Sequence, residues 1–515
     1  MEKFIERYSP NITGILMGFD RLIIRGSLRR IGYLTGMKDF LWHNNVLWKD
    51  FRSYAVGVSD RIKEAARQTA ETNKREYIYL PSSKTNKEAI AMRLAEKQQI
   101  NEGLIAILRS VELCNTYTVV RNKQEKKLEL RIRQGKCLYL YFYIIDRQFG
   151  WVNARIQTWF PFNIQICLNG REWLSRKMDA AGIRYSREDN CFPKIQDLKK
   201  AQELMNSQLR VNWATELKRF VNLLNPIHKQ IFRKYPIDYY WTVFESEWAT
   251  DVMFKDIQSL NRIYPGLVSH AIGHFSCSDV MKFLGRKLQS NFGGEIMTSF
   301  KNRPEGIRVK HWLDENSIKF YNKGSILRCE TTINNPFRFR VFRAAENSKN
   351  GEPRWRRLRK SVADIHRLSQ ISEASNERYL NALAAADTST TISQLVADVC
   401  KRTTWKGKPV RALRLWDDDD LQLLTAINRG EFFINGFRNR DLQPLLYSST
   451  PANQKERKAR SARISRLIRM LRAHHIVQKV SRTYRYVLSP RGSQIITAVL
   501  CTQQLTMDQL ARAIA

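Results

Sequence analysis

The chain has 515 residues, enough for about three domains, and 43% apolar with 11% aromatic content excludes wholesale disorder. Lysine and arginine total 87 against 49 acidic residues, a formal net charge of +38. A compact chain with that excess repels itself unless a polyanion neutralises it, so nucleic acid is the expected partner and small-molecule metabolism a poor fit.

An anionic membrane surface is the second candidate, but no apolar run approaches the roughly 18 residues that span a bilayer. The strongest, Leu138 to Ile145, is ended by Asp146 and reads as a buried strand. The opening MEKFIERYSP is charged and lacks the apolar core of a signal peptide, so a cytoplasmic protein without a membrane partner is expected. None of the 8 cysteines forms a C-x-x-C pair, which points to reduced core thiols rather than a zinc knuckle.

In chain order, NITGILMGFDRLIIRGSLRRIGYL has a β-prone core, Ile15 to Ile24, holding Asp20 and followed by Arg21, Arg25, Arg29 and Arg30. Asp60 to Glu96 turns helical and basic, and residues 101–112 read as a further amphipathic helix. KKLELRIR alternates as a half-buried strand does, and LYLYFYII and WVNARIQTWFPFNIQICL complete an expected antiparallel meander ending at the turn Asn169-Gly170. Leu198 to Leu224 reads as one long helix stopped by Pro226. A second β-rich block follows from Asp238 to Arg343, with a mostly helical stretch at 265–288 and strands in GEIMTSF, GIRVKHWL and SIKFYNKGSILRCETTI. ENSKNGEPRWRRLRKS is read as a basic loop, and TTWKGKPVRALRLW as a linker.

The fold class expected is multi-domain α+β. It comprises a basic nucleic-acid-binding α+β region at 1–235, a central candidate catalytic domain with an antiparallel sheet at 236–402, a linker at 403–416 and a last domain at 417–515.

Residues 417–500 read as helix, helix, helix, hairpin, helix. In ARISRLIRMLRAHHIV, Ile464, Leu467, Ile468, Leu471 and His475 share one face, while Arg463, Arg466, Arg469 and Arg472 take the rest of the circumference. With the hairpin VQKVSRTYRYVLSPRG, this resembles the winged helix-turn-helix of bacterial transcription regulators. The resemblance implies that the third helix enters a major groove while a wing carrying Arg482 and Arg485 tracks phosphate. The alternative is a solvated arginine face on a protein-interaction domain.

A carboxylate beside a polyanion repels it unless a divalent metal lies between, so acids in β-prone runs are candidate ligands. These are Asp20, Glu245, Glu247, Asp251 and Glu330, and Glu245 and Glu247 share a strand face. Tyr321 and Lys323 lie within ten residues of Glu330. A tyrosine hydroxyl needs an adjacent cation or metal to attack a phosphodiester at neutral pH, and Lys323 or Arg328 would supply the cation. Asp251, then Tyr321-Asn322-Lys323, then Arg328-Cys329-Glu330, resembles the core of plasmid and phage rolling-circle replication initiators. That likeness covers about residues 240–343 and implies a Tyr321 nucleophile with Asp251 and Glu330 on Mg2+ or Mn2+, Glu247 and Asp20 being further candidate ligands. The His-hydrophobic-His motif of many such nickases is absent, since no His-x-His occurs. Gly18-x-Asp20 is also similar to the first strand of RNase H-like nucleases and transposases, which implies Asp20 as a metal ligand beside Asp251 and Glu330. The plain alternative is that Tyr321 packs its ring and that Asp251 and Glu330 pair with arginines.

His270 and His274, at helical spacing, would share a metal or serve the core, and His474-His475 is placed at a core edge. Phe337-Arg338-Phe339-Arg340 alternates rings and cations, making Arg338 and Arg340 candidate nucleic-acid contacts. The expected function is a nucleic-acid-processing protein of a mobile genetic element or replicon, with metal-dependent DNA strand cleavage or transfer. The alternative is a non-catalytic binding protein, either a winged-helix regulator or the protein component of a ribonucleoprotein. DNA is favoured as partner and structured RNA is possible.

Overall fold

A computed structural model describes residues 1–286, 296–344, 352–386, 392–428, 432, 436–447, 449–480 and 483–503. The chain begins α1 (Glu2–Tyr8), β1 (Ile12–Ser27), α2 (Leu34–His43), α3 (Phe51–Thr72), β2 (Glu76–Leu80), α4 (Lys87–Lys97). Then come β3 (Gly103–Asn122), β4 (Lys127–Asp146), β5 (Gly150–Gln157), β6 (Ile164–Asn169), α5 (Gly170–Ala180), β7 (Tyr185–Glu188) and β8 (Cys191–Ile195). These lead to α6 (Leu198–Asn206), α7 (Trp213–Leu224), α8 (His228–Ile231), β9 (Tyr240–Phe254), α9 (Ile257–Gly273) and α10 (Cys277–Phe283). Next are β10 (Ile296–Lys301), β11 (Arg308–Leu313), β12 (Asn316–Lys323), β13 (Ile326–Ile333), β14 (Arg340–Arg343), β15 (Arg354–Arg357) and α11 (Ile365–Leu383). The remainder is α12 (Ile392–Val396), β16 (Thr403–Trp405), β17 (Lys408–Val410), α13 (Asp418–Ile427), α14 (Asn439–Leu446), α15 (Gln454–Ala473), β18 (Val477–Lys479), β19 (Tyr486–Leu488) and α16 (Pro490–Gln503).

The fold mixes helices with a large mixed sheet, and the chain divides into two compact units. One comprises Gly14–Asp251 and Glu330–Glu373. Its strands follow the order β9-β1-β6-β5-β4-β3-β2, with β2 parallel to β3 and β6 antiparallel to both β1 and β5. Alternation sets the two faces. Leu22 and Ile24 of β1, Leu140 and Phe142 of β4, Val152 of β5 and Ile166 of β6 are buried in one core with Ala55 and Ile62 of α3 and Leu217 and Phe220 of α7. Removing each large side chain from water is worth about 1.5–3 kcal/mol. The opposite face carries exposed Arg21 and half-buried Arg25, Gln165, Arg155 and Tyr139, and α4 covers the part at β2 to β4 through Leu80, Ala91, Leu108 and Tyr141.

The other unit comprises Met1–Thr13, Val252–Cys329 and Ala374–Ala515. Its strand order is β10-β11-β12-β13. Leu260 and Leu267 of α9, Val309 and Phe320 of the strands and Tyr379 and Leu383 of α11 form a core that also buries Phe4 of α1. A further core joins Leu413, Leu424, Ile464, Leu471 and Ile496.

Several sequence expectations change. Residues 103–112 of the expected helix at 101–112 belong to strand β3, because Leu104 to Leu108 are buried on both faces and lose the strand's alternation. KKLELRIR and LYLYFYII form the single strand β4. The expected long helix at 198–224 breaks before Trp213, where Asn212 caps α7 by accepting a hydrogen bond from the Thr215 amide. Asn169-Gly170 starts a helix, Asn169 accepting from the Arg171 and Glu172 amides. The stretch expected as a linker forms the β16–β17 hairpin and buries Leu413 and Leu415. Part of the expected basic loop is strand β15, paired with β14. The strict ring–arginine alternation at 337–340 fails, since Pro336–Arg338 is a 3-10 turn that exposes Phe337 and buries Phe339. Among the described residues, no helix is long and apolar enough to cross a membrane.

Candidate nucleic-acid interface

Asn453 caps α15 by accepting a hydrogen bond from the Glu456 amide, and Ile464, Ile468 and Leu471 turn into the core. A 3.6-residue repeat then sends the intervening cations outward. Four acids open α13, and three of them are committed. Asp417 caps the helix, Asp419 meets Arg463 at 2.9 Å, and buried Asp420 takes both arms of Arg411 at 2.6 and 2.7 Å. Two hydrogen bonds to a carboxylate in place of water hold Asp420 ionised: burial opposes its charge, but Arg411 keeps its pKa below the usual range.

The expected cations therefore separate by environment. Arg466 and Arg469 are exposed and make no ion pair among the described residues. Arg463 is exposed but held by Asp419. Arg472 is half-buried, its guanidinium 4.8 Å from the Trp405 ring and 5.8 Å from Tyr486. Arg485 is half-buried in β18–β19's connection, and Arg482 lies outside the described residues. Lys455, Arg457 and Lys458, in the first turns of α15, are equally exposed and without an ion pair among the described residues. Sequence reasoning missed them, because KERKAR lies ahead of the apolar stripe Ile464 to Leu471 that marks the helix. His475 is exposed and His474 buried, its Nε2 2.8 Å from the Arg411 carbonyl, which reverses the expected roles on the core face.

A second basic surface lies within the region 1–235 expected to be basic, although its residues were not singled out as contacts. Across β4, β5, β6 and β1, the register aligns Tyr141, Arg155, Gln165 and Arg25. Arg155 donates to the Tyr141 hydroxyl at 3.0 Å and to Gln165 Oε1 at 3.2 Å, and Arg25 donates to the same oxygen at 3.0 Å. Arg25 lies 3.2 Å from the Phe244 ring centre, and Arg29 lies 3.2 Å from that of Tyr240. Burial, then repulsion from Arg155, lowers the Arg25 pKa. The signal was the spacing of Arg21, Arg25 and Arg29, a period of four compatible with one strand face.

The carboxylates gather around two arginines. Gly170 lets α5 start against β1, since a side chain there would collide with the Phe19 carbonyl. That approach seats fully buried Arg171, whose Nη2 is 3.0 Å from Asp251 Oδ2 and whose Nε is 3.8 Å from Asp20 Oδ1. Asp20 also accepts from Asn190 at 2.6 Å. A divalent cation at Asp251 would have to replace this guanidinium. Arg21 donates to Glu245 at 2.6 Å and to Glu247 at 3.1 Å, so those two carboxylates do share a face. Burial opposes the Arg21 charge, yet Glu247, Glu245 and Glu330 raise its pKa. Glu330 is 1% exposed, and Thr332 donates to Glu247 at 3.5 Å.

Tyr321 and Lys323 are half-buried on β12 and belong to the unit that holds α9, whereas Asp251 and Glu330 belong to the other. Arg303 and Lys319 lie 4.8 and 5.9 Å from the Tyr321 ring centre. His270 and His274 stack 4.5 Å apart, His270 Nε2 lying 3.2 Å from the Ala382 carbonyl. Arg338 and Arg340 are exposed, Arg340 at the start of β14. Among the described residues, no group of three His, Cys, Asp or Glu side chains is arranged to hold a metal. Comparison with protein-family models, curated proteins and solved structures returns no match.

Proposed function

We propose that the protein binds nucleic acid, and that α13 to α16 with the β18–β19 hairpin act as a winged-helix module on duplex DNA. One observation carries this reading. Lys455, Arg457, Lys458, Arg466 and Arg469 stand exposed along a single helix without an ion pair among the described residues, while the helix's one acid, Glu456, is held by Arg460 and three of the four acids at the start of α13 are already engaged. Phosphate is the acceptor that such a row lacks. The sequence of three helices and a hairpin supports the same reading, as does the +38 charge of the chain. Fluorescence anisotropy with a labelled duplex, repeated over a salt series, tests it. Affinity should fall log-linearly with a slope of several counterions. Absence of binding at low salt, or a slope near zero, overturns it.

Metal-dependent strand cleavage or transfer, as in a mobile genetic element or replicon, is the second reading. It is favoured by the concentration of Asp20, Asp251, Glu245, Glu247 and Glu330 around Arg171 and Arg21 in a chain otherwise so basic. Nicking of supercoiled DNA with Mg2+ or Mn2+, lost in Asp251→Ala or Glu330→Ala, would support it, and a covalent adduct lost in Tyr321→Phe would identify the nucleophile. If the wild-type chain leaves DNA uncut with either metal, binding alone remains.

A further inference from the structure

The β14–β15 ribbon combines two features that protein stability alone does not call for. Its register sets Arg340 opposite Arg357 and Phe342 opposite Trp355. Directly opposed residues of an antiparallel pair share a face, so two guanidinium groups and two rings lie side by side. Phe342 is 59% exposed and Trp355 66%, their ring centres 5.8 Å apart and edge to face. A cross-strand ring pair helps to hold a two-stranded ribbon, but opposed like charges weaken it. Arg340 and Arg357 are exposed and have no ion pair among the described residues. Between residues 336 and 360 the one described acid is Glu352.

The ribbon's base is firmly held. Phe339 and Leu358 are buried in the core, and the Leu358 amide donates to the Phe339 carbonyl at 2.9 Å. Buried Asp364 takes Arg359 at 2.9 Å and Arg367. The outer face is thus a rigidly mounted pair of rings beside a pair of cations. Its complement is a polyanion that offers flat apolar faces. A duplex hides those faces within its stack, whereas unpaired nucleotides present them.

We propose that this ribbon grips unpaired nucleotides, with Phe342 and Trp355 stacking on bases and Arg340 and Arg357 meeting the adjoining phosphates. The assignment shares with the proposed function only the class of partner, since it concerns single strands and a different surface. The full chain is tested by anisotropy against labelled oligo-dT and oligo-rU of ~20 nucleotides, and against a duplex of equal length. The double variant Phe342→Ala/Trp355→Ala should lose about tenfold or more in single-strand affinity while duplex affinity holds. Trp355→Phe should keep most of the single-strand binding, because it retains a ring. Arg466→Ala/Arg469→Ala should show the reverse pattern, so duplex affinity unchanged in that variant overturns the winged-helix reading and leaves the ribbon standing. Single-strand affinity unchanged in the double ring variant overturns the proposal. So does a parallel loss of single-strand and duplex binding, or wild-type binding to phosphatidylserine vesicles in place of either oligonucleotide.

Discussion

Arg171 and Asp251 are both fully enclosed, 3.0 Å apart, and the Arg171 Nε and Nη1 make no hydrogen bond among the described residues. Removing one member of such a pair strands the other as a buried charge, which costs about 3–5 kcal/mol. Arg171→Met and Asp251→Leu should therefore each lower the urea midpoint. In Arg171→Met/Asp251→Leu the loss should be clearly smaller than the sum of the two single losses, as a double-variant cycle would measure. Additive losses would show that the two side chains stabilise the fold independently. The acid itself was visible in the sequence as a carboxylate among apolar neighbours, and pairing with an arginine was one of the outcomes considered. Its partner was not visible. Arg171 sits at the start of α5, in a segment of ordinary helical composition, and only the close approach permitted at Gly170 brings it to β9.

Elements were legible where turns or polar residues bound them, even where burial is two-sided as in β13. β11, β12 and β13 follow their expected segments, as does α10, whereas α9 begins at Ile257, ahead of the stretch expected to be helical at 265–288. β3 was misread because two-sided burial erases alternation, and β15 because four of its residues, RWRR, read as charge before they read as strand. On α15, the same sequence stripe that identified the helix also sorted its arginines, apart from Arg472. Stacked near Trp405 and Tyr486, Arg472 should act on stability: Arg472→Ala lowers the thermal midpoint, whereas Arg466→Ala leaves it unchanged and reduces the salt slope of duplex binding by about one. A second prediction concerns β11 and α11. His311 is wholly buried, its Nε2 2.7 Å from the Tyr379 hydroxyl and its Nδ1 2.8 Å from Thr298 Oγ1, with Phe275 against the ring. Burial pushes its pKa from 6.5 down to about 3. Between those values the unfolded chain takes up a proton that the fold refuses, so stability is complete above 6.5 and falls as pH drops toward 3. Burial and the His274 charge also lower His270, to about 4, so the loss has the same sign at α9. Thermal midpoints measured down a pH series should decline, and His311→Gln, neutral throughout and still able to meet Tyr379, should flatten the decline. An equally steep curve in that variant would assign the acid sensitivity elsewhere.

At the scale of the molecule, α16 packs along α9 within one unit, and His274 shares a hydrogen bond with Gln494. Truncation before Asp417 should therefore expose apolar surface on α9 and lower the thermal midpoint of what remains. A shortened chain as stable as the full one would make the last hundred residues an appended module. The division of the units along the chain has a consequence for the order in which the protein can be made. Phe4 and Tyr8 of α1 are covered by residues of α9, β11 and α11, the Lys3 amide donates to Asn381, and Arg7 reaches the Ala384 carbonyl. This segment, made before the residues of α9, β11 and α11 that cover it, is thus among the last to find its place. Meanwhile residues 14–251 await 330–373 before their own unit is complete. Through most of synthesis a short amphipathic helix and an unfinished sheet edge wait uncovered, in a nascent chain already rich in positive charge. Chains of this kind fold through long-range closures late in translation, and surface left uncovered in the interval is open to aggregation.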